Sequence, residues 1–224
     1  AGNNAYTGGT ELAAGFLAVT SDANLGAATA PLLFNGGALR ILGTTPASLG
    51  ATRPVSTVID QTFWFDVADP AQTFTVGQAL AQNGTGGFVK TGAGVLALTG
   101  ASTFTSRVQV NEGAVQVEQI NNSGAGPLGA NSTTDLGSGS TTGLLRWVGS
   151  TSATTTRVLN LSGSTGGGGI DASGPGTITF TAAPTVAAGA KAFTLTGTNT
   201  GPNTISGAIP NSTGNLAVVK DGPG

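Results

Sequence analysis

Short runs of apolar and β-branched residues recur along the whole chain, separated by turn-forming residues. Within most runs apolar residues alternate with polar or small ones, which is typical of strands with one buried face. Clusters of glycine, asparagine, serine or proline, such as residues 35–37 and 173–176, separate the runs. The pattern predicts strands at residues 16–19, 38–42, 73–76, 95–99, 107–110, 114–117, 144–148, 157–161, 177–181 and 192–196.

Helix-forming sequence is scarce. The strong helix formers Glu, Lys, Arg and Met are rare, and the best helical candidate is a weak one at residues 76–82. The turns between predicted strands leave little room for crossover helices. An all-β fold follows, and at this point a sandwich, a barrel and a solenoid all fit the pattern.

Internal repeats favour the solenoid. Residues 90–94 (Lys-Thr-Gly-Ala-Gly) recur as residues 220–224 (Lys-Asp-Gly-Pro-Gly), 130 positions further on. Residues 6–19 align with residues 104–117 at a spacing of 98, and residues 38–43 align with residues 144–149 at a spacing of 106. A solenoid tolerates unequal spacing because each coil contacts mainly its neighbours.

These repeats predict a parallel β-helix with coils of roughly 20–25 residues. The whole chain is expected to form one β-helix segment. Its internal units cover residues 1–87 and 88–217, and a third unit begins at 218–224. Because the chain starts and stops inside such units, we expect it to be a fragment of a longer array.

Composition supports an ordered but unusual fold. Charged residues make up 8% of the chain and glycine supplies 38 of 224 positions, whereas hydrophobic residues reach 38%. Disordered chains are polar and highly charged, so this composition favours folding. An aromatic content of 5% suits a narrow core.

The net charge and the residue types present exclude several classes of function. A net charge of −2 with eight Lys and Arg gives no basic face for nucleic acid. The chain has neither His nor Cys, so the usual catalytic triads and zinc sites cannot form. We predict no catalytic residue, no metal site and no cofactor.

One segment combines aromatic residues with carboxylates. It could form a sugar-binding or hydrolytic groove, since glycosidases use paired carboxylates. The alternative is a loop in which the tryptophan packs on the side of the helix and the aspartates cap turns. If the chain contacts a ligand, we expect the contact at this loop, through Asp60, Phe63, Trp64, Phe65, Asp66 and Asp69.

Two further patterns are better explained by structural roles than by ligand binding. Residues 166–171 match a calcium-binding nonapeptide, but in one copy only, so a glycine-rich loop is the better interpretation. Arg40 and Arg146 occupy matching places in the two units. They could mark a repeated binding site, although outward-facing side chains lying along the strand surface are favoured.

Residues 90–100, 104–105 and 110–117 together resemble the passenger-associated strand repeat of bacterial autotransporters. The first copy keeps the family's Asn4, residues 6–10, Gly15 and Val19, whereas Ser102 and residues 106–107 of the second copy depart from the pattern. The resemblance implies a right-handed parallel β-helix exported across the outer membrane to the bacterial cell surface. Such passengers usually precede a C-terminal translocator barrel, through which alone we expect a membrane contact.

The expected function is therefore that of a structural or adhesive stalk. Expected partners are further copies of the chain, side by side or head to tail, or a glycan or protein on a host or cell surface. The alternative is a carbohydrate-active β-helix, such as a polysaccharide lyase, a tailspike-like hydrolase or another glycan-binding module.

Overall fold

Parallel strands wound into successive coils make up the protein. The computed structural model describes residues 2–45 and 47–224, and every pairing between its named strands is parallel. About eight coils stack along one axis, which confirms the predicted parallel β-helix. The strands are β1 (Thr10–Leu12), β2 (Phe16–Val19), β3 (Leu32–Phe34), β4 (Ala38–Ile41), β5 (Ala47–Ser48), β6 (Val55–Thr57), β7 (Phe63–Val67), β8 (Thr73–Val76), β9 (Phe88–Thr91), β10 (Val95–Leu98), β11 (Val108–Val110), β12 (Gly113–Val117), β13 (Thr133–Leu136), β14 (Gly143–Trp147), β15 (Ala153–Thr155), β16 (Val158–Leu161), β17 (Gly168–Ala172), β18 (Ile178–Phe180), β19 (Thr185–Val186), β20 (Lys191–Thr196), β21 (Thr204–Ile205) and β22 (Leu216–Lys220).

Three faces surround the core. Face B is an eight-stranded sheet in the order β2-β4-β7-β9-β11-β13-β16-β19, and face C is a second one in the order β5-β8-β10-β12-β14-β17-β20-β22. Face A carries two three-stranded sheets, β1-β3-β6 and β15-β18-β21, separated by irregular segments of the middle coils. Each full coil passes through faces A, B and C in turn.

The strand register gives the length of each coil. On face C, Gly143 pairs with Gly168 and Gly168 with Phe193, so each of these coils adds 25 residues. Between β10 and β12 the step is only 19 residues, from Val95 to Ala114. The regular coils match the expected length, and the others absorb insertions and deletions in their turns.

Inward-facing side chains form columns along the axis. Phe34, Phe65, Phe88 and Phe104 are fully buried, and the Phe88 and Phe104 rings stack with their centroids 5.3 Å apart. The Phe34 and Phe65 centroids are 5.1 Å apart. Aromatic packing of this kind fills a narrow core with few large residues.

The predicted helix at residues 76–82 is wrong. Val76 ends β8, and the backbone beyond it bonds to the next coil instead of to itself: Leu80 N donates to the Ser102 hydroxyl and Thr103 N donates to Leu80 O. Among the described residues the single helical element is a 3₁₀ turn at Asp22–Leu25.

The aligned repeat segments lie on neighbouring faces. β1 and β2 of the first copy are on faces A and B, whereas the corresponding β11 and β12 are on faces B and C. The second pair of aligned segments shows the same change, because β4 is on face B and β14 is on face C. The second copy is therefore rotated by one face about the axis.

Candidate contact surface

The predicted ligand loop is a strand. Phe63–Val67 forms β7 in the middle of face B, and its alternating pattern directs Phe63 and Phe65 into the core, where they are 1% and 0% exposed. A projecting loop was the wrong interpretation, because the residues continue a sheet that begins two coils earlier. Trp64 and Asp66 face outward, and Trp64 is partly exposed whereas Asp66 is 5% exposed.

Trp64 packs on an aromatic residue two coils away. Its ring centroid lies 5.4 Å from that of Phe16, with an angle of 71° between the planes. The two rings meet over Ala38 on the intervening strand β4, where the small side chain leaves room. The indole Nε1 donates to Thr91 Oγ1 at 2.9 Å, and Phe16 is 47% exposed.

An ion pair borders these rings. Arg40 Nε donates to Asp66 Oδ1 at 2.9 Å, and the guanidinium carbon lies 4.2 Å from the Phe16 ring centroid. The other oxygen of Asp66 accepts the Thr91 hydroxyl at 2.9 Å. We call Phe16, Arg40, Trp64, Asp66 and Thr91 the Phe16–Trp64 patch.

The two remaining predicted aspartates stabilise turns. Thr85 donates its backbone N–H and its hydroxyl to Asp60 Oδ1 at 2.6 and 2.8 Å, and these bonds lower the pKa of Asp60. Asp69 Oδ1 accepts from Ala71 N at 2.9 Å. Both carboxylates act as the turn-capping interpretation predicts, and neither contacts the Phe16–Trp64 patch.

A second outward ion pair lies on face C. Arg146 Nε donates to Asp171 Oδ2 at 2.5 Å, one coil further on. Asp171 also accepts the Ser173 hydroxyl. The glycine-rich loop was the wrong interpretation, because residues 168–171 belong to strand β17, and the Asp171 carboxylate pairs with Arg146. Arg40 and Arg146 are thus both outward-facing, as the favoured interpretation predicts.

Four cations are buried inside the coils, which the sequence analysis missed. Arg53, Lys90 and Arg157 are at most 1% exposed, and Lys191 is 6% exposed. Each donates to backbone carbonyls of turns in a neighbouring coil, for example Arg53 Nη1 to Leu25 O at 2.9 Å and Arg157 Nη2 to Asn121 O at 3.0 Å. Burial lowers the pKa of Arg157 to about 10.

Lys90 shows the same arrangement at the start of the second repeat. Its Nζ donates to Thr91 O, Gly92 O and Glu112 O at 3.0, 2.5 and 2.9 Å. Burial lowers the pKa of Lys90 to about 7, although the nearby Asp66 and Glu112 carboxylates oppose the shift. Alternation places Lys90 on the same face of β9 as the buried Phe88, which is the signal that could have identified it.

The described residues offer neither a cluster of metal ligands nor a membrane-spanning helix. The described part of the chain holds no group of three or more His, Cys, Asp or Glu side chains that could bind a metal ion. Within the same residues no helix is both long and apolar enough to cross a membrane.

Comparison with known proteins adds the family. A model of the passenger-associated-transport repeat matches residues 1–19 and 88–117, which are the two copies on neighbouring faces. The two repeat copies and the parallel β-helix fit an autotransporter passenger domain, and the chain is called the passenger segment below. Over 99 residues it is 41% identical to the adhesin BmaC autotransporter of Brucella suis biovar 1 (strain 1330).

That match covers 44% of the passenger segment and 3% of the Brucella protein. No solved structure matches the segment significantly. The repeat family and this relative place the passenger segment on the bacterial cell surface.

Proposed function

We propose that the passenger segment is a rigid, non-catalytic adhesive rod that carries a contact patch on its side. The observation on which this depends is the pair of uninterrupted eight-stranded ladders on faces B and C. With strands about 4.8 Å apart, eight strands span about 34 Å along the axis. A stack of this kind extends in one direction and keeps its side faces in fixed positions.

The use of the carboxylates favours a structural role over a carbohydrate-active enzyme. Asp22, Asp66, Asp135 and Asp171 each pair with an arginine. Asp60 and Asp69 cap turns. A glycosidase needs two carboxyl groups facing a shared cleft, whereas these side chains hold strands and turns together.

Adhesion is supported by the relative's name and by the Phe16–Trp64 patch. The Brucella protein is named an adhesin. Exposed aromatic residues beside an arginine are the side-chain types enriched at binding hot spots. Of the predicted contact residues the patch contains Trp64 and Asp66, and Phe16, Arg40 and Thr91 join them from neighbouring coils.

We also infer side-by-side association between rods. Arg40, Arg107 and Arg146 face outward, and each is neutralised by an aspartate within 3.3 Å. Surfaces with few unpaired charges repel each other weakly, which favours lateral contact. Sedimentation should show larger species as the concentration rises, and a monomer at every concentration would contradict this association.

Attachment of the purified segment tests the adhesive proposal. Beads coated with the native segment should bind to cultured animal cells, and beads coated with the Phe16→Ser/Trp64→Ser variant should bind far fewer. A Gln109→Ser/Thr185→Ser variant serves as the control, because it changes two exposed residues further along face B. Equal attachment of both variants would exclude the patch as the contact surface.

A further inference from the structure

Arg40 is held in place from two sides. Its Nε donates to Asp66, and its guanidinium lies over the Phe16 ring. The side chain is nevertheless 39% exposed, and neither Nη nitrogen donates to any residue within the described ranges 2–45 and 47–224. The outer edge of the guanidinium is therefore a pre-aligned pair of donors, so binding at this edge costs little conformational entropy.

The other polar groups of the patch are already engaged. The Asp66 side chain is 7% exposed, and its two oxygens accept from Arg40 and Thr91. The indole N–H of Trp64 is also bonded to Thr91. A ligand would find two guanidinium donors and no free acceptor, an arrangement that selects an anionic group such as a carboxylate.

The rings supply the apolar part of the surface. Phe16 is about half exposed and Trp64 is partly exposed, with an edge-to-face contact between them. Ring faces of this kind pack against the apolar C–H face of a sugar ring. A carboxylate attached to such a ring is the chemistry of a hexuronic acid.

We propose that the Phe16–Trp64 patch binds acidic glycans: the two Nη nitrogens of Arg40 hold a sugar carboxylate while the aromatic rings pack against the sugar. This inference rests on the proposed adhesive function, and it adds the class of ligand.

The second repeat provides a matched control. Arg146 pairs with Asp171 through Nε in the same way and is 31% exposed. Among the described residues no aromatic ring lies against its guanidinium. Arg146 therefore offers the paired Nη donors but no aromatic ring on which a sugar could pack, and it should contribute little to glycan binding.

Titration calorimetry with a glucuronate-containing tetrasaccharide tests the proposal, with the carboxyl-reduced form of the same tetrasaccharide as the matched ligand. The native segment should bind the acidic form about tenfold or more tightly than the reduced form. Arg40→Gln should weaken binding of the acidic form by a similar factor, whereas Arg146→Gln should leave the affinity unchanged. Arg40→Lys should behave like Arg40→Gln, because lysine keeps the charge but lacks the paired donors.

Circular dichroism checks that each variant keeps its β-sheet. Equal affinity for the two tetrasaccharides would overturn the proposal, and so would equal losses in the Arg40 and Arg146 variants. Tighter binding of an acidic peptide at the same patch would assign the patch to a protein partner instead.

The outcomes separate this inference from the proposed function. If cell attachment is lost in the Phe16/Trp64 variant but survives Arg40→Gln, the adhesive function stands and the acidic ligand is wrong. If cell attachment is unchanged in every patch variant, the adhesive function itself is wrong.

Discussion

At the scale of single residues, the interior shows where this fold departs from a purely apolar core. Four cations lie inside the coils, and only Arg53 pairs with a carboxylate, that of Asp22. The others donate mainly to carbonyls of turns, and Arg157 Nη1 has no partner among the described residues. Burying a charge is unfavourable unless it is paired and hydrogen-bonded. The pKa of such a group therefore differs between the folded and the unfolded chain.

Lys90 gives a pH dependence of stability with a defined sign. The folded-state pKa is about 7, whereas an unfolded lysine titrates near 10.4. Between these values the unfolded chain binds more protons, so the stability of the native segment should rise as the pH increases from about 7 to about 10. Below pH 7 the lysine is charged in both states and contributes no slope.

Urea unfolding midpoints at several pH values between 6 and 10 measure this effect. Lys90→Met should flatten the rise. Lys220→Met should leave it unchanged, because Lys220 makes the same contacts to its own turn while exposed to solvent. An identical rise in the native segment and the Lys90→Met variant would show that another group causes it.

At the scale of elements, ten of the 22 strands in the described residues were predicted, and the register of the strands was not. All ten predicted runs coincide with strands to within a residue or so at each end, because alternation and turn residues act locally. β7 was not predicted, because its segment was interpreted as a loop, although alternation within it directs Phe63 and Phe65 inward. Recognised as a strand, the segment would have placed Trp64 and Asp66 on the outward face from the sequence.

Their partners could not be assigned in the same way. Phe16 and Arg40 reach the patch from β2 and β4, and coil lengths vary from 19 to 30 residues. A one-residue change in register turns every side chain of a strand to the opposite face. Contacts between coils therefore depend on turn lengths that no local pattern specifies.

Buried cations that connect coils should contribute far more to the free energy of unfolding than ion pairs of the same chemistry on the surface. Arg53 donates to Asp22 and to carbonyls of residues 22–30. Replacing it with methionine leaves these acceptors unpaired and should lower the free energy of unfolding by about 3–5 kcal/mol. Arg107→Met, which removes an exposed pair to Asp135 at 3.3 Å, should change it by about 0–1 kcal/mol.

Urea unfolding of the two variants and the native segment measures the difference. Similar losses in both variants would mean that Arg53 is solvated in solution and does not connect the coils.

At the scale of the whole molecule, the repeat and the coil have different periods. The two segments that match the passenger repeat lie one face apart, so equivalent surfaces point in different directions around the axis. The Arg40–Asp66 pair on face B and the Arg146–Asp171 pair on face C show the consequence. A planar target that contacts one of these pairs cannot lie flat against the other at the same time.

The central claim is that the chain stacks coil upon coil along one axis, and distances between spin labels test it most directly. The chain has no cysteine, so pairs of labelled cysteines can be introduced without background. Ser48, Thr75 and Thr196 lie in one outward column of face C, through Ala97, Gln116, Arg146 and Asp171. The Thr75/Thr196 pair is separated by five strand spacings, or about 24 Å, and the Ser48/Thr196 pair by six, or about 29 Å.

Pulsed electron spin resonance should give one narrow distance for each pair, the second about 5 Å longer than the first, although Ser48 and Thr75 are 27 residues apart. Equal or shorter distances for the Ser48/Thr196 pair, as a sandwich or a closed barrel would give, would contradict the stacked solenoid and the rod-like function built on it.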